Sequence, residues 1–279
     1  MGSGADGKLG HGDTKDQKQP KLVDFFEKNN IKVKDAVAGE KHTIVLSDKG
    51  EVYTFGYGSK SVNLLLKLFV NPVGPTGHGK NVPPAITKPT KLKSLEEQNI
   101  IRVTAGRNFC IALNDKDEIY NWGNGEYAAF GDGANENYYV PTLNNHFEYL
   151  RTEEALKVKK MKSSESYSVA LMKNGKLYGW GSNEHGQMGI KAEIGMEMYE
   201  TVNFVTEVIR EGYEDQNVVN FDISDSALIF ELDNGDMWWT GMKIAYKPEK
   251  LNINVKPKLF AAGERSLVVV DHQNTVKVL

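Results

Sequence analysis

Six histidines, one cysteine and a few neighbouring carboxylates are the side chains of this 279-residue sequence that could ligate a metal, attack a carbonyl or move a proton. The histidines are His11, His42, His78, His146, His185 and His272, and no two stand at the HxH or HExxH spacing that puts two imidazoles on one metal. Cys110, alone, excludes an intrachain disulfide and a cysteine-built zinc cage. It follows Phe109 in an apolar run and reads as a small buried hydrophobe, not a nucleophile. Glu153-Glu154 and the pair Asp115/Asp117 fall in turns or solvated segments, and nothing marks either pair as an acid and its base. Gly2, Gly4 and Gly7 make a GxGxxG, the glycine spacing of a dinucleotide loop. That run does not lead into a helix of a βαβ unit, and it recurs along the chain, so its glycines read as turns. The expectation is a chain that is not an enzyme, with no catalytic residues, no metal and no cofactor.

Comparison of the chain with itself explains why these residues are where they are. Five segments share one pattern: Val33–Gly56, Val103–Gly123, Val158–Gly181, Val218–Gly241 and Leu259–Leu279. The first reads VKDAVAGEKHTIVLSDKGEVYTFG. Their endings, Phe55-Gly56, Trp122-Gly123, Trp180-Gly181 and a degenerate Thr240-Gly241, recur about every 60 residues. A second block follows: GSGADGKLGHG at Gly2, GNGEYAAFGDG at Gly123 and GSNEHGQMG at Gly181. It puts Leu9, Phe130 and Met188 in one slot and Gly10, Gly131 and Gly189 in the next. Between Gly58 and Gly77 the block is interrupted by about 13 additional residues. His42 occupies a repeat slot, and His11 and His78 lie in matching Gly-His-Gly loops, so all three read as structural.

Within each unit the apolar residues alternate with period two, as in HTIVL and EVYTF, which predicts β-strands. Lys173-Asn174-Gly175 and Asp233-Asn234-Gly235 are hairpin turns, since Asn and Gly reach positive φ cheaply. Three strands are visible per unit, and a fourth is expected near Pro20–Val23, Pro89–Leu92 and Pro141–Leu143. Four short antiparallel strands per repeat describe a propeller blade. A blade cannot keep both faces dry alone, so Ile44, Leu46, Val52, Ile111, Leu113, Ile119, Val169, Leu171 and Leu177 are expected to face neighbouring blades. Ala38, Gly39, Ala105, Gly106, Ala262 and Gly263 are expected where backbone crowds near the axis. The expected fold is all-β, a β-propeller of four-stranded antiparallel blades forming one domain over residues 1–279. Because the sequence begins and ends at the same repeat phase, five blades are favoured, with an incomplete seven-bladed propeller as the alternative.

The run WGxGxxGxLGxG followed by AGxxHTxxLxxxGxVYxWG resembles the regulator-of-chromosome-condensation repeat. The resemblance covers essentially the whole chain, strongly in units one to three, and is eroded in the second half of unit four and in unit five. It implies a β-propeller, of seven blades in most members. The founding member is an exchange factor for the small GTPase Ran and docks on nucleosomes. Other members are protein-interaction modules, some of them mitochondrial. No projecting wedge of the exchange-factor kind is identifiable here, and the basic tail used for nucleosome docking is missing.

Charge agrees with the second half of that statement. Lys and Arg number 34 against 37 Asp and Glu, a net charge of −3, which disfavours a nucleic-acid binder that neutralises phosphates. No stretch approaches the roughly 18 apolar residues of a membrane-spanning helix, and no secretory signal or Arg-rich transit segment is visible.

Departures from the repeat are the places to look for a partner, because insertions map to exposed loops. The first, a loop insertion over about 61–73, carries Leu64, Leu65, Leu66, Leu68, Phe69 and Val70. Such a run either folds back on its own blades, inserts into a partner subunit or touches a membrane surface. The second, a variable loop over about 190–217, combines Met196, Met198 and Tyr199 with several acids and reads as a short covering helix or a docking loop. The third, 146–160, has Phe147, Leu150 and Leu156 on one face of a helix. The leading expectation is a non-catalytic scaffold, a structural or accessory subunit of a larger intracellular assembly, placed in mitochondria ahead of the cytoplasm. Its partners are then protein subunits, not nucleic acid. The runner-up is a guanine-nucleotide exchange factor for a Ran-like small GTPase.

Overall fold

Residues 1–58, 74–153, 155–190, 201–253 and 256–278 are described by the structure, a computed structural model. Alternation along a pleated strand sends neighbouring side chains to opposite faces, and both faces of these strands are used. By its internal contacts the chain divides into two compact units, Met1–Glu126 with Asn135–Glu148, and Tyr127–Ala134 with Tyr149–Leu279.

The first unit holds two meander sheets. Sheet one is β1 (Val33–Ala38), β2 (His42–Ser47), β3 (Val52–Tyr57) and β4 (Ala85–Lys91), and sheet two is β5 (Ile100–Ala105), β6 (Phe109–Asn114), β7 (Ile119–Gly123) and β8 (Tyr138–Leu143). The second unit holds three. Sheet three is β9 (Val158–Ser163), β10 (Tyr167–Met172), β11 (Leu177–Ser182) and β12 (Thr201–Glu207). Sheet four is β13 (Val218–Ile223), β14 (Ala227–Leu232), β15 (Met237–Gly241) and β16 (Ala245–Lys250). Sheet five has three strands, β17 (Pro257–Ala262), β18 (Leu267–Asp271) and β19 (Val276–Val278). All pairings are antiparallel between sequence neighbours, the arrangement of propeller blades. The Asn-Gly turn at 174–175 closes β10 on β11 with Leu171 opposite Leu177, and Gly175 takes φ +80° as that turn requires.

The nine apolar slots expected between blades are all buried. Ile44, Leu46 and Val52 of sheet one share a cluster with Ile100, Val103, Ala112 and Trp122 of sheet two. Val169, Leu171 and Leu177 of sheet three share another with Phe221, Leu228 and Phe230 of sheet four. The small residues meet the expectation in part: Ala105 is buried and the Gly106 carbonyl crowds Gly39, but Ala38 is exposed, and a side chain three residues on also crowds Gly39 and Gly106. A Cβ on Gly39 would fall 2.1 Å from His42 Cε1, and one on Gly106 would fall 2.0 Å from the Phe109 ring.

Two local expectations are corrected. Pro20–Val23 form no strand; pairing there is one bridge, Gly2 to Gln17, with N–H···O distances of 2.8 and 2.9 Å. A fourth strand needs the length of a third to pair with, and Val23 instead packs with Phe25 and Phe26 as the chain turns into α1 (Phe25–Lys28). The segment 190–217 contains no helix among its described residues. Its alternating Thr-Val-Asn-Phe-Val-Thr run is the strand β12, and Tyr213 beyond it is buried against Phe230 and Trp238. The helix expected over 146–160 is α2 (Asn145–Glu153), with Phe147, Leu150 and Leu156 all buried. No helix among the described residues is long and apolar enough to cross a membrane.

Candidate functional site

The aromatic residue that ends a repeat is a latch on the loop of the unit before it. Trp122 at the end of β7 donates its Nε1–H to Pro75 O at 2.8 Å, and a Cβ on Gly77 would lie 2.7 Å from the indole. In the second unit Trp180 donates to Ala129 O at 3.1 Å, and Gly131 lies against its ring. Phe55 packs on Gly10 in the same manner without a polar atom. Each of these loops also binds the outer strand of its neighbour, through Gly12 N to Thr87 O (2.8 Å), Gly79 N to Tyr139 O (2.9 Å) and Gly133 N to Asn203 O (2.9 Å). Thr240 stands in the tryptophan slot of sheet four, and its buried hydroxyl lies 2.8 Å from both Gly186 O and Ala245 O. The hydroxyl thus keeps the indole's bond to the preceding loop while giving up the burial of a ring.

The histidine slot joins neighbouring sheets at their other edge. His42 Nε2 lies 3.0 Å from Cys110 Sγ, which also lies 3.4 Å from Pro75 O, and both residues are fully buried. Burial holds the imidazole neutral, with its pKa lowered to about 3, and pushes the thiol well above its ordinary range. With Nε2–H donated to sulfur and S–H to Pro75 O, every bond in the chain is made; the opposite tautomer leaves a buried Nδ1–H without an acceptor. A neutral histidine beside a protonated, buried thiol cannot supply a thiolate nucleophile. His78 accepts or donates at Thr54 Oγ1 (2.9 Å), and Thr54 donates to Thr76 O (2.6 Å), which braces the same loop. In the second unit Tyr167 takes the histidine slot, its hydroxyl reaching Ser224 O at 2.6 Å and Ala227 O at 3.0 Å on sheet four. These residues hold sheets together.

The surface feature that sequence reasoning missed lies at one end of sheets three, four and five. A cleft of about 500 Å³ is lined by Glu165, His185, Asp225, Met242, Ile244 and Glu264, among others. Beside it the connection from β15 to β16 is a three-residue turn, Met242 to Ile244, in place of the longer glycine loops that follow β3, β7 and β11. Met242 and Lys243 both take positive φ, 56° and 57°, held by Met242 N to Ser226 O (2.7 Å) and Lys243 N to His185 O (3.0 Å). Met-Lys is not a pair that turn chemistry selects, so no sequence signal marked it. The tip leaves Ile244 exposed beside the carboxylates. Lys243 and Arg265 also line the cleft; in the first unit Glu40 of the matching turn pairs with Arg107 at 2.7 Å, and that guanidinium holds the Glu40 carboxyl below its usual range.

The residues expected to meet a partner, Leu64, Leu65, Leu66, Leu68, Phe69, Val70, Met196, Met198 and Tyr199, all lie outside the described residues. Among the described residues no three His, Cys, Asp or Glu side chains gather as a metal site would require.

Comparison with known proteins connects this geometry to a family. A family model for the regulator of chromosome condensation (RCC1) repeat matches residues 1–46, and a second model of the same repeat matches residues 158–187. The ultraviolet-B receptor UVR8 of Arabidopsis thaliana is 27% identical over 190 residues, 68% of this chain and 38% of the receptor. The mitochondrial RCC1 domain-containing protein RUG3 of the same plant is 26% identical over 244 residues, 86% of this chain and 48% of that protein. Among solved structures, Prp20p of Saccharomyces cerevisiae superposes with a TM-score of 0.67 at 20% identity, over 90% of this chain and 58% of that one. Human WBSCR16 gives the same TM-score and identity over 94% of this chain and 64% of its own. The chain therefore spans well under two thirds of the curated relatives above, and the structural likenesses speak to fold.

Proposed function

We propose that this chain, which belongs to the regulator of chromosome condensation (RCC1) repeat family as a divergent member, is a non-catalytic scaffold: a structural or accessory subunit of a larger intracellular assembly, in mitochondria. The observation that carries the reading is that the polar residues fixed by the repeat are spent on its own joints. His42, Cys110, Trp122, Tyr167 and Trp180 all satisfy neighbouring backbone or side-chain groups. The relatives support it. The matching region covers 4% of the human ubiquitin ligase HERC2 and 19% of the mouse kinase Nek9, so similar sequences occur within proteins named for different activities. RUG3, matched over 86% of this chain, supports the mitochondrial placement.

The partner contact is assigned to the apolar insertion, with Leu64, Leu65, Leu66, Leu68, Phe69 and Val70 entering a protein subunit and Met196, Met198 and Tyr199 forming a second contact. Burying each Leu or Phe would contribute roughly 1.5–3 kcal/mol. The test is a pull-down from source-cell extract with the full chain and with a chain lacking residues 61–73. Loss of a stoichiometric partner with the deletion is expected; a variant that still folds and retains every partner removes the reading. A guanine-nucleotide exchange role is the second reading, favoured by the likeness to Prp20p, whose structure was studied with its binding to Gsp1p and histones. Nucleotide release from purified Ran-like GTPases decides it, and an unchanged rate eliminates it.

A further inference from the structure

We propose that sheets four and five meet across an ionisable joint: Glu231 stands in a slot that sheets one to three fill with leucine, so the last sheet is held tightly when that carboxyl group is neutral and loosely when it is charged.

The register fixes the slot. Ala227 pairs with Gly241 as His42 pairs with Gly56, which places Glu231 where Leu46, Leu113 and Leu171 stand. All three leucines are fully buried. On β14, Leu228, Phe230 and Leu232 face sheet three, within the cluster that sheets three and four share. Ala227 and Ile229 point the other way, into a cluster with Leu267 and Val269 of sheet five. Glu231 is the next residue on that second face. A carboxylate therefore occupies the end of an apolar contact whose other members are Ile, Met, Leu and Val.

Glu231 is half-buried where the three leucines are fully buried, and the surrounding protein gives its carboxyl group little compensation. The carboxyl group makes no hydrogen bond or ion pair among the described residues, while its neighbours in the sheet are Asn220 and Met237. Lys277 of β19 and Glu249 of β16 stand opposite Val269 and Trp239, on the face toward the joint, and other ionisable groups of the packed elements are engaged elsewhere. Asp236 on the β14–β15 turn binds Lys250 at 2.8 Å, and Asp222 on β13 pairs with Lys162 and accepts Ala262 N–H at 3.1 Å. In sheet five Lys258 binds Asn274 at 2.8 Å, and Asp271 accepts the Gln273 and Thr275 N–H groups of its own turn, both at 2.8 Å. His272 is the group whose charge acts on Glu231, and it opposes the larger effect of burial, which raises the carboxyl pKa. The sign follows. A carboxyl whose folded pKa lies above the unfolded value has its full hold below the unfolded pKa, and loses it as pH rises through the raised value. Sheet five is also the sheet best able to respond. It has three strands, and Leu259, Val276 and Val278 are 63%, 58% and 66% exposed.

Hydrogen–deuterium exchange on the full chain between pH 5 and 7.5, with rates corrected for intrinsic pH dependence, tests the joint. Protection of residues 257–271 is expected to fall about threefold or more across that range, while β10 in sheet three keeps its protection. Glu231→Gln should flatten the pH response, and Glu231→Leu should flatten it and raise protection at pH 7.5. A wild-type profile without pH dependence in this segment, or the same slope in Glu231→Gln, would overturn the proposal.

Discussion

The joint between sheets one and two and the joint between sheets four and five are built on one repeat and finished in opposite ways. At the first, an indole is latched into a glycine loop, and a buried histidine donates to a buried thiol. At the second, the β13–β14 turn bonds the β17–β18 turn through the Ser226 hydroxyl and Glu264 O, and a carboxyl group takes a leucine slot. Both joints set an ionisable side chain in an apolar contact: a fully buried histidine held neutral in one, and a half-buried carboxyl group whose pKa burial raises in the other. The difference shows that a repeat fold tolerates erosion unit by unit: what a unit loses is its neighbour's cover, not its own hairpins. The hairpins of sheet five keep the register of the others, with Ala262 opposite Leu267 as Ala105 is opposite Cys110.

The largest expected effect is at the indole latch. Trp122→Ala should lower unfolding stability by roughly 3–5 kcal/mol, through lost ring burial and loss of the stronger of the two bonds to the Pro75 carbonyl. Urea midpoints check this, and an equally large loss for Thr240→Ala would erase the contrast between the joints, since that change should cost about 1–2 kcal/mol. Gly39→Ala comes next, at about 1–3 kcal/mol, because the new methyl overlaps the His42 ring; a neutral result would mean that the ring is not held there.

A third effect is pH-dependent. His42 is neutral in the fold, with a pKa of about 3, against an ordinary value near 6.5 in the unfolded chain. Its stabilisation is complete above pH 6.5 and is lost as pH falls, by at most about 1.4 kcal/mol per unit, until the folded value is reached. The urea midpoint should therefore drop between pH 6.5 and 4.5. His42→Phe, which copies Phe109 in the next unit, should remove that part of the drop. An unchanged acid response in His42→Phe would assign it to other groups.

Much of this architecture was legible in the residues. Period-two runs closed by Asn-Gly or Asp-x-Gly turns gave the hairpins, and self-comparison gave the buried slots, because a repeated environment repeats its side chains. The latch was half legible: Trp-Gly and the glycine block were visible as slots, but that one packs on the other is a contact across units that spacing alone does not encode. Cys110 was expected to be buried, and its bond to His42 was not, since a bond between two repeats has no local signature. β12 was read as a loop or helix because its alternation is only seven residues long. The Met242-Lys243 turn escaped for a physical reason: its positive φ angles are imposed by hydrogen bonds from neighbouring turns, not by its own residue types.

Native-state thiol labelling tests the graded-joint account most directly. Cys110 and Leu267 occupy the same slot of their repeats, and both are buried. Alkylation of wild-type Cys110 is compared, at one pH and below the urea transition, with alkylation of Leu267→Cys in a Cys110→Ser background. Labelling reports local opening, and the account predicts that position 267 reacts at least about tenfold faster, equivalent to about 1.4 kcal/mol less local stability. Equal rates, or faster labelling of Cys110, would contradict it.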